Sequence, residues 1–379
     1  MLIAIPAESA PDENRVAATP ETIKKFIALG AEVRVQGGAG LASGITDADY
    51  TAAGATIAGS MAETLTGADI VLKVRRPDAA ETAHISRGAV VIGILDPYGH
   101  EEAVKALADA GLAAFAMELM PRITRAQVMD VLSSQANIAG YRAVIDATSA
   151  YGRAMPMMMT AAGTIPAARV FIMGAGVAGL QAIATARRLG AIVTATDVRP
   201  AAREQVESLG AKFIAVEDEE FKQAETAGGY AREMSDAYKQ KQAELVASHI
   251  AKQDIVITTA LIPGRPAPRL VNEAMVRSMR PGSVIIDLAV ERGGNVEGAI
   301  PGETVEKEGV RIVGHLNVPG RLAATASALY AKNLLAFAET LIDKDSKALA
   351  IKWDDELVQA TALTRDGAVI HPAFQPKAD

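Results

Sequence analysis

The sequence predicts an α/β protein with two doubly wound domains, each built on a parallel sheet, and a cleft between them. Short apolar runs alternate with helical stretches along the chain, which is the rhythm of βαβ units with right-handed crossovers. At 379 residues the chain is long enough for two domains of roughly 150 residues each. Half of the residues are hydrophobic and only 4% are aromatic, which favours tight packing of helices on sheets. Together these observations favour Rossmann-like domains.

The N-terminal third of the sequence supplies the elements of one such domain. Its apolar runs predict five strands, at Leu2–Pro6, Glu32–Gln36, Ile70–Val74, Val90–Leu95 and Ala113–Met117. The run Val90–Leu95 is apolar throughout, as is typical of a parallel strand that is buried on both faces. Helices are predicted at Pro20–Leu29, with Thr19 as its N-cap, and at Glu101–Ala110.

The middle of the chain predicts the crossing from the first domain to the second. Thr124–Ser149 has few helix breakers and is expected to form one long helix. Met155–Met159 contains a proline and predicts a turn, or the start of a helix packed at the crevice between the domains.

The second domain shows the βαβ rhythm more sharply. Its strands are predicted at Arg169–Met173, Ile192–Thr196, Lys212–Val216, Ile255–Thr259, Val284–Leu288 and Arg311–Val313, with a helix at Val177–Leu189. Between them the polar segment Glu217–Leu245 is too long for an ordinary connection and predicts a mobile functional loop.

The C-terminal end of the chain is expected to return to the first domain. Ala323–Leu341 predicts a long helix, and Ala348–Trp353 and Val358–Leu363 predict two strands. The first domain therefore comprises residues 1–130 with 325–379, and the nucleotide-binding domain comprises residues 131–324.

A glycine-rich turn carries the clearest chemical signal. The sequence Gly174-Ala175-Gly176-Val177-Ala178-Gly179 follows a predicted strand and opens a predicted helix. Gly174 allows the tight turn, Gly176 allows a pyrophosphate to approach the backbone, and Gly179 allows close packing of helix on strand. The free amides and the dipole at the start of the helix stabilise phosphate charge.

An acidic residue follows the glycines at the spacing of a ribose-binding site. Asp197 ends the next strand, where a carboxylate accepts hydrogen bonds from the adenosine ribose and repels a 2′-phosphate. The pattern therefore predicts NAD(H) rather than NADP(H) on this chain. Arg199 is the one discordant residue, because a nearby arginine can also accept a 2′-phosphate. A glycine turn that binds nothing is the structural alternative.

Composition excludes several other classes of function. The net charge of −7 disfavours nucleic acid as a partner. The absence of cysteine excludes disulfides and thiolate chemistry, and the five histidines show no metal-ligand spacing, so no metal site is expected. The N-terminus lacks the features of a signal peptide, and the uncharged run at 170–186 is better explained as strand and helix than as a membrane span.

A second polar cluster lies at Met117–Asp130. Arg122 precedes the predicted long helix, and Gln127 and Asp130 are spaced to share one face of it. This arrangement is typical of a helix start with surface ion pairs. Alternatively, the cluster orients the carboxamide and ribose of a nicotinamide nucleotide.

Read together, these residues resemble one family, the NAD(H)-binding first domain of proton-translocating transhydrogenase. The resemblance runs through the whole chain. It rests on Glu8 with the segment Glu13–Ala17, and on the segments Arg122–Ser133, Met158–Thr164, Ala224–Ala231, Thr258–Gly264 and His315–Pro319.

The resemblance implies an oxidoreductase that passes hydride from NADH to NADP⁺. The NADP(H) is held on a partner domain, and membrane-spanning subunits couple the transfer to proton movement. The chain would then be a homodimer on the cytoplasmic face of the membrane, attached through its partners, with the helix Ala323–Leu341 as a candidate interface.

The resemblance also implies roles for individual residues. Arg122, Gln127 and Asp130 match the loop around the nicotinamide, with Ser133 nearby. Other positions match the dinucleotide site, namely Val177, Asp197, Val198, Arg199, Ala260 and Leu261. Gly229 and Tyr230 match a mobile loop that closes over the bound nucleotide.

Alanine dehydrogenase, a relative of that family, gives the main alternative function. Arg15 and Lys73 match the residues that bind substrate there. The catalytic histidine expected within Ile92–Pro97 is absent, His100 lies a few residues late, and Glu291 replaces an expected aspartate. Without a proton shuttle, reductive amination is expected to fail. A module that senses NAD without catalysis is the third hypothesis.

Overall fold

The computed structural model describes residues 1–216, 219–222 and 235–375. Contacts divide the chain into two compact units. Unit 1 comprises Met1–Gln135 with Pro319–Asp379, and unit 2 comprises Ala136–Val318. The unit boundaries fall a few residues from the domain boundaries expected from sequence, at 135 against 130 and at 318 against 324.

Unit 1 is built on a parallel sheet with the doubly wound order β3-β2-β1-β4-β5-β6. Its strands are β1 Leu2–Ile5, β2 Glu32–Gln36, β3 Thr56–Ala58, β4 Ile70–Arg75, β5 Val90–Ile94 and β6 Ala113–Ala116. The five predicted strands are confirmed, and β3 is an addition. With three residues, β3 is too short to show a strand pattern in the sequence.

The helices that alternate with these strands are α1 Pro20–Ala28, α2 Asp47–Ala52, α3 Met61–Leu65, α4 Ala79–Thr82 and α5 Glu101–Asp109. The predicted N-cap of α1 is confirmed, since the Thr19 side chain accepts from the backbone N–H of Thr22. After α1, Gly30 has a φ of 89°, which stops the helix in the left-handed region that favours glycine.

The predicted single helix Thr124–Ser149 is wrong at its start. Thr124–Met129 is a 3₁₀ helix, and the α-helix α6 begins only at Val131 and ends at Tyr151. Asp130 lies between the 3₁₀ helix and α6 and has an extended backbone. Its carboxylate accepts a hydrogen bond from the backbone N–H of Ser133 at 2.9 Å. Because Asp130 caps α6, it does not share one face of a continuous helix with Gln127.

The segment after α6 also differs from the prediction. Met158–Thr160 (β7) and Gly163–Ile165 (β8) pair as an antiparallel hairpin, in place of a turn or a helix start. All six strand residues are exposed, and Met159 is 77% exposed. Thr160 accepts from the N–H of Ala162 within the turn of the hairpin, which supports this geometry.

Unit 2 repeats the doubly wound plan in the order β11-β10-β9-β12-β13-β15-β14. Its strands are β9 Arg169–Met173, β10 Ile192–Thr196, β11 Lys212–Phe213, β12 Ile255–Thr258, β13 Val284–Asp287, β14 Thr304–Lys307 and β15 Val310–Val313. The predicted strands are confirmed, although β11 is shorter than expected. The edge strand β14 was not predicted, and it runs antiparallel to β15, so this sheet is not wholly parallel.

Besides most of α6, the described helices of unit 2 are α7 Val177–Arg188, α8 Ala202–Ser208, α9 Glu219–Lys222, α10 Asp236–Ile250 and α11 Glu273–Ser278. The predicted loop Glu217–Leu245 is corrected in two places, because Glu219–Lys222 forms α9 and residues 236–245 belong to α10, where Ser235 is the N-cap. Residues 217–218 and 223–234 lie outside the described residues.

The chain returns to unit 1 through the 3₁₀ segment Val318–Leu322 and the helix α12 Ala323–Ala338, followed by a 3₁₀ turn at Glu339–Leu341. Tyr330 of α12 is fully buried, and its hydroxyl donates to the carbonyl of Lys73 at 2.8 Å and accepts from the N–H of Ile94. Ser327 accepts from the N–H of Val16. The apolar face of α12 thus lies in the core of its own unit, which removes the reason for expecting an interface there.

The tail differs from the two predicted strands. It contains short strands, β16 Ile342–Asp343 with β17 Ala348–Leu349 and β18 Thr364–Arg365 with β19 Ala368–Val369, and the helix α13 Glu356–Thr361. Asp355 accepts from the N–H of Leu357 and so starts α13 where the apolar pattern predicted a strand.

Each sheet is covered by apolar side chains on both faces. Separate buried clusters lie on the two sides of the unit 1 sheet and on the two sides of the unit 2 sheet. This burial explains why the central strands are apolar throughout. Among the described helices, none is both long enough and apolar enough to cross a membrane.

Candidate functional site

The glycine turn of unit 2 lies where the strand order of its sheet reverses. β9 pairs with β10 on one side and with β12 on the other, and the turn leaves β9 at its carboxyl end. Gly174 has a φ of 107°, and its N–H donates to the carbonyl of Thr196 at 2.9 Å. Ligands of open α/β sheets bind at such a reversal point.

The three glycines of the turn have different surroundings. A Cβ on Gly174 would lie 2.5 Å from the hydroxyl oxygen of Thr259, and a Cβ on Gly179 would lie 1.8 Å from the carbonyl oxygen of Gly174. A Cβ on Gly176 would meet nothing within 4 Å. Gly174 and Gly179 are therefore required by the protein's own packing, whereas Gly176 leaves open space in front of the turn.

The open space faces the start of α7. Gly176 is the N-cap of this helix and provides no capping side chain, and its carbonyl accepts from the N–H of Leu180 at 2.8 Å. The N–H groups of the first helical turn have no acceptor inside a helix, and the helix dipole adds partial positive charge at this end. The arrangement is suited to an anion such as a pyrophosphate.

Asp197 closes the same site from the end of β10. Its carboxylate accepts from the N–H of Ala175 at 2.8 Å and from the N–H of Arg199 at 2.9 Å. The guanidinium of Arg199 donates to both carboxylate oxygens, at 2.9 and 3.1 Å, and also to the carbonyl of Ala175 at 3.3 Å. Arg199 therefore links Asp197 to the glycine turn. Because its guanidinium already donates to Asp197, it is not positioned to bind a 2′-phosphate.

Exposed apolar side chains surround the turn within unit 2. Val177, Val198 and Leu261 are 40%, 56% and 53% exposed. Val177 follows Gly176, the N-cap of α7, and Val198 follows Asp197, so each lies next to a residue of the candidate site. Apolar walls with a few convergent polar groups are typical of a pocket for a nucleotide.

Two buried polar residues that sequence reasoning missed hold the segment after β12. Asn295 accepts from the N–H of Ala260 at 3.1 Å and donates to the carbonyl of Ala260 at 2.9 Å. Asp287 accepts from the N–H groups of Ala289 and Val296, which anchors the chain around Asn295. The position of Asp287 at the end of an apolar strand was the available signal, whereas no local pattern indicates the role of Asn295.

The polar cluster of unit 1 surrounds a cavity of about 380 Å³. Its lining residues are Pro121, Arg122, Ile123, Thr124, Ala126, Gln127 and Asp130. Arg122 and Gln127 are exposed, and Asp130 is engaged by the N–H and the hydroxyl of Ser133 at 2.9 and 2.5 Å. Ser133 thus lies beside Asp130 and fixes the orientation of its carboxylate.

The wall of this cavity is tied to the tail of the chain. Arg125 donates to both carboxylate oxygens of Asp355 at 2.8 and 2.9 Å and reaches Glu356 at 3.2 Å. Such a bidentate pair limits the conformational freedom of the 3₁₀ segment that carries Gln127.

Charged residues are buried at the carboxyl edge of the unit 1 sheet. Arg15 donates to both oxygens of Glu13, at 2.7 and 2.6 Å, and to Gln135 at 2.9 Å, and Arg75 adds a contact to Glu13 at 2.8 Å. Burial raises the pKa of the Glu13 carboxyl, but the two guanidinium groups outweigh it, so that this pKa is lower than usual.

Lys73 is similarly enclosed. Its ammonium contacts Glu81 at 2.5 Å and Glu8 at 3.3 Å, and its side chain is 1% exposed. Burial raises the pKa of the Glu8 carboxyl despite the attraction of Lys73 and two backbone N–H donors. Arg15 and Lys73 therefore have partners within the protein.

A further acid, Glu118, is half-buried under the loop that follows β5. Glu118 accepts from the N–H of Leu95 at 3.2 Å and from the N–H of Asp96. Asp96 has a φ of 48°, and the ring of His100 lies 2.9 Å from its carbonyl oxygen. Burial raises the pKa of Glu118 to about 7.

This pKa predicts a pH-dependent stability. The folded protein favours neutral Glu118, so the stabilising contribution is complete below the ordinary carboxyl pKa of 4.5 and is lost as the pH rises through about 7. Over that range the free energy of unfolding is expected to fall by on the order of 3 kcal/mol from this group. Glu118→Gln should flatten the slope between pH 4.5 and 7 in urea unfolding experiments. An unchanged slope would show that Glu118 ionises normally.

Two residues of the expected site, Gly229 and Tyr230, lie outside the described residues. In unit 2, Asp197, Arg199 and Ala260 lie at the glycine turn, and Val198 and Leu261 are their neighbours in sequence. In unit 1, Arg122, Gln127 and Asp130 line one cavity, and Ser133 binds Asp130. In the described part of the chain, no group of three or more His, Asp or Glu side chains forms a metal site.

Comparison with known proteins identifies both halves of the chain. The family model of the alanine dehydrogenase/PNT N-terminal domain matches residues 4–139, and that of the alanine dehydrogenase/PNT C-terminal domain matches residues 143–372.

Individual relatives cover nearly the whole chain. An NAD(P) transhydrogenase alpha-subunit chain of Rhodospirillum rubrum is 59% identical over 379 residues, covering 99% of both chains. An alanine dehydrogenase of Methanococcus maripaludis is 32% identical over 362 residues, covering 93% of this chain and 90% of that protein. The crystal structure of transhydrogenase from Sinorhizobium meliloti has 64% identity and a TM-score of 0.90, covering 98% of this chain and 100% of that one.

Proposed function

Since the chain belongs to the alanine dehydrogenase/PNT family, we propose that it is the NAD(H)-binding component of a proton-translocating transhydrogenase. It would deliver hydride from NADH directly to NADP⁺ held on a partner domain. The observation that carries this proposal is the similarity along the whole chain to the NAD(P) transhydrogenase alpha subunit, which is much greater than the similarity to alanine dehydrogenase.

In this proposal unit 2 binds the dinucleotide. The open space at Gly176 admits the pyrophosphate, and the first-turn amides of α7 donate to it. Asp197 accepts from the hydroxyls of the adenosine ribose, and its charge repels an additional phosphate at the 2′ position. Val177, Val198, Ala260 and Leu261 provide the walls of this pocket.

The polar loop of unit 1 acts on the nicotinamide, as the family resemblance implies. Gln127 orients the carboxamide, Arg122 and Asp130 hold the nicotinamide ribose, and Ser133 keeps the Asp130 carboxylate in place. NADH supplies the hydride when it is bound. Because hydride transfer between nicotinamide rings needs no proton shuttle, the task of these side chains is to orient the ring and exclude water.

The alanine dehydrogenase alternative is less well supported by the contacts in unit 1. The segment Ile92–Pro97 contains no histidine, and the ring of His100 faces the carbonyl of Asp96. Arg15 and Lys73 already bind carboxylates of the protein itself. Turnover of L-alanine with NAD⁺ would favour this alternative.

The proposal includes partners that the chain itself lacks. Membrane-spanning subunits would couple the transfer to proton movement, and the chain would then lie at the cytoplasmic face of the membrane as a peripheral component. The name of a relative from Cereibacter sphaeroides, NAD(P) transhydrogenase subunit alpha, supports only the expectation of partner subunits.

A hydride exchange assay tests the proposal. The chain is mixed with an NADP(H)-loaded partner domain from a transhydrogenase, and transfer to the acetylpyridine analogue of NAD⁺ is followed by absorbance. Rapid exchange that requires both proteins is the expected result. Binding of NADH without any transfer would support an NAD sensor instead, and the transhydrogenase proposal would then fail.

Gln127→Asn is expected to slow hydride exchange by about 10- to 100-fold, because shortening the side chain misplaces the ring. The dissociation constant of NADH should change by less than about threefold, since the pyrophosphate and the adenosine are bound elsewhere. Gln205→Asn, at an exposed position of α8, is the matched control. If Gln127→Asn leaves exchange unchanged, Gln127 does not orient the ring.

The proposal also expects a homodimer. The exposed hairpin β7–β8, with Met159, Ile165 and the preceding Met157, is a better candidate surface than α12, whose apolar face is buried. Light scattering should give twice the chain mass of 39.5 kDa, and Met159→Glu should shift the protein towards the monomer. Leu41→Glu, which is at a similarly exposed apolar position, should leave the mass unchanged. A wild-type monomer would remove the dimer from the proposal.

A further inference from the structure

A glycine on α6 lies against the helix that carries the candidate pyrophosphate site. Gly140 is buried within unit 2, and a Cβ built on it would lie 2.0 Å from the carbonyl oxygen of Ala178. The carbonyl carbon and the Cα of Ala178 would lie at 2.8 and 2.9 Å. The contact is therefore between two backbones, and no side-chain rotation could relieve it.

The position of Gly140 in the sequence is otherwise unfavourable. A glycine inside a helix destabilises it relative to alanine, and α6 is rich in alanine elsewhere. The close approach to Ala178 explains why glycine is present at this one position. Nearby on the same two helices, the amide of Asn137 donates to Gln181 at 3.4 Å.

Ala178 belongs to the first turn of α7, whose N–H groups face the open space at Gly176. On its other side this turn is packed against the sheet, where Gly179 abuts the carbonyl of Gly174 and Gly174 abuts Thr259. The turn is thus held between α6 and the ends of β9 and β12 by contacts that only glycine permits.

We propose that Gly140 is a positioning residue for the pyrophosphate of NAD(H), because its missing side chain lets α6 fix the first turn of α7. This inference rests on the proposed NAD(H) binding and adds a residue outside the glycine motif to that site. With alanine at 140, the contact of 2.0 Å must lengthen to at least 3.0 Å, which displaces the amides of the turn. A shift of this size is large compared with the tolerance of a hydrogen bond.

The test compares ligands with and without a pyrophosphate on the full chain. NADH is titrated by its fluorescence, and ADP-ribose and adenosine are measured as competitors. Gly140→Ala should raise the dissociation constants of NADH and ADP-ribose about tenfold or more, and that of adenosine by less than about twofold. A merely structural defect would weaken all three ligands together.

Two control variants lie on the same helix. Ala147→Gly removes a buried methyl group about two turns beyond Gly140 and destabilises α6. Asn137→Ala removes the amide contact to Gln181. Both should keep the three affinities within about twofold of the wild type. A folded Gly140→Ala with normal NADH affinity, or with adenosine weakened in the same ratio, would overturn the proposal. Failure of the wild type to bind NADH would instead overturn the proposed function.

Hydrogen exchange on the wild type gives a second reading that does not require the variant to fold. If α6 supports the turn, NADH should slow amide exchange in residues 137–143 as well as in residues 174–180. Protection confined to residues 174–180 would show that α6 does not take part, and the proposal would be rejected.

Discussion

Gly176→Val is expected to raise the dissociation constant of NADH by at least about 100-fold while leaving the folded protein intact. The Cβ of residue 176 would meet no protein atom within 4 Å, and its φ of −76° suits a branched residue. The new side chain would therefore occupy only the space assigned to the pyrophosphate, where it would also keep the ligand away from the first-turn amides of α7.

Two further variants make this result specific. Gly179→Ala introduces a Cβ 1.8 Å from the carbonyl oxygen of Gly174 and should lower the stability of the protein by about 3 kcal/mol or more, as overpacking does. Gly59→Val, at an exposed glycine of unit 1 with ordinary backbone angles, should change neither the affinity for NADH nor the stability of the protein. Fluorescence titration and thermal unfolding distinguish the cases. Undiminished NADH binding by Gly176→Val would place the pyrophosphate elsewhere.

Asp197→Asn is expected to weaken NADH binding by about 10- to 100-fold and to reduce the preference for NADH over NADPH. The carboxylate can accept charge-assisted hydrogen bonds from the ribose, each contributing about 1.5–3 kcal/mol. Removal of its charge also releases the guanidinium of Arg199, which now donates to both carboxylate oxygens at 2.9 and 3.1 Å. A released arginine can accept a 2′-phosphate, so NADPH should gain affinity as NADH loses it.

Asp254→Asn is the matched control for this experiment. Asp254 also accepts a backbone N–H, that of Arg169 at 2.8 Å, but it does so beside the first residue of β9, away from the glycine turn. Titrations with NADH and NADPH should therefore give wild-type values for this variant. If Asp197→Asn retains the full preference for NADH, cofactor selection depends on other groups.

The sequence contained enough information for the central elements of both units. Central strands such as β5 and β9 are buried on both faces and are therefore apolar runs. Such runs can be recognised in the sequence without knowing which face packs against the core. The glycine turn and Asp197 were predictable because their residue types follow from local backbone geometry and from the fixed spacing between strand ends.

The remaining features depend on contacts that are distant in sequence or on single side-chain hydrogen bonds. Asp130 divides a helical stretch because its carboxylate caps α6, and Asp355 converts an apparent strand into α13. Asn295 and Gly140 have roles that exist only through their neighbours in space, the backbones of Ala260 and Ala178. No local pattern distinguishes such residues from ordinary polar or small ones.

The packing of α12 into the core of unit 1 has a consequence for the newly made chain. Residues 1–135 emerge from the ribosome first, but they lack Tyr330 and the other buried side chains of α12 until after residues 136–318 have been made. At ordinary rates of translation this delay is roughly 10–40 s. Unit 2, which is continuous, can complete its core during that time, so the N-terminal sheet is the region that has to be protected from aggregation until its last helix arrives.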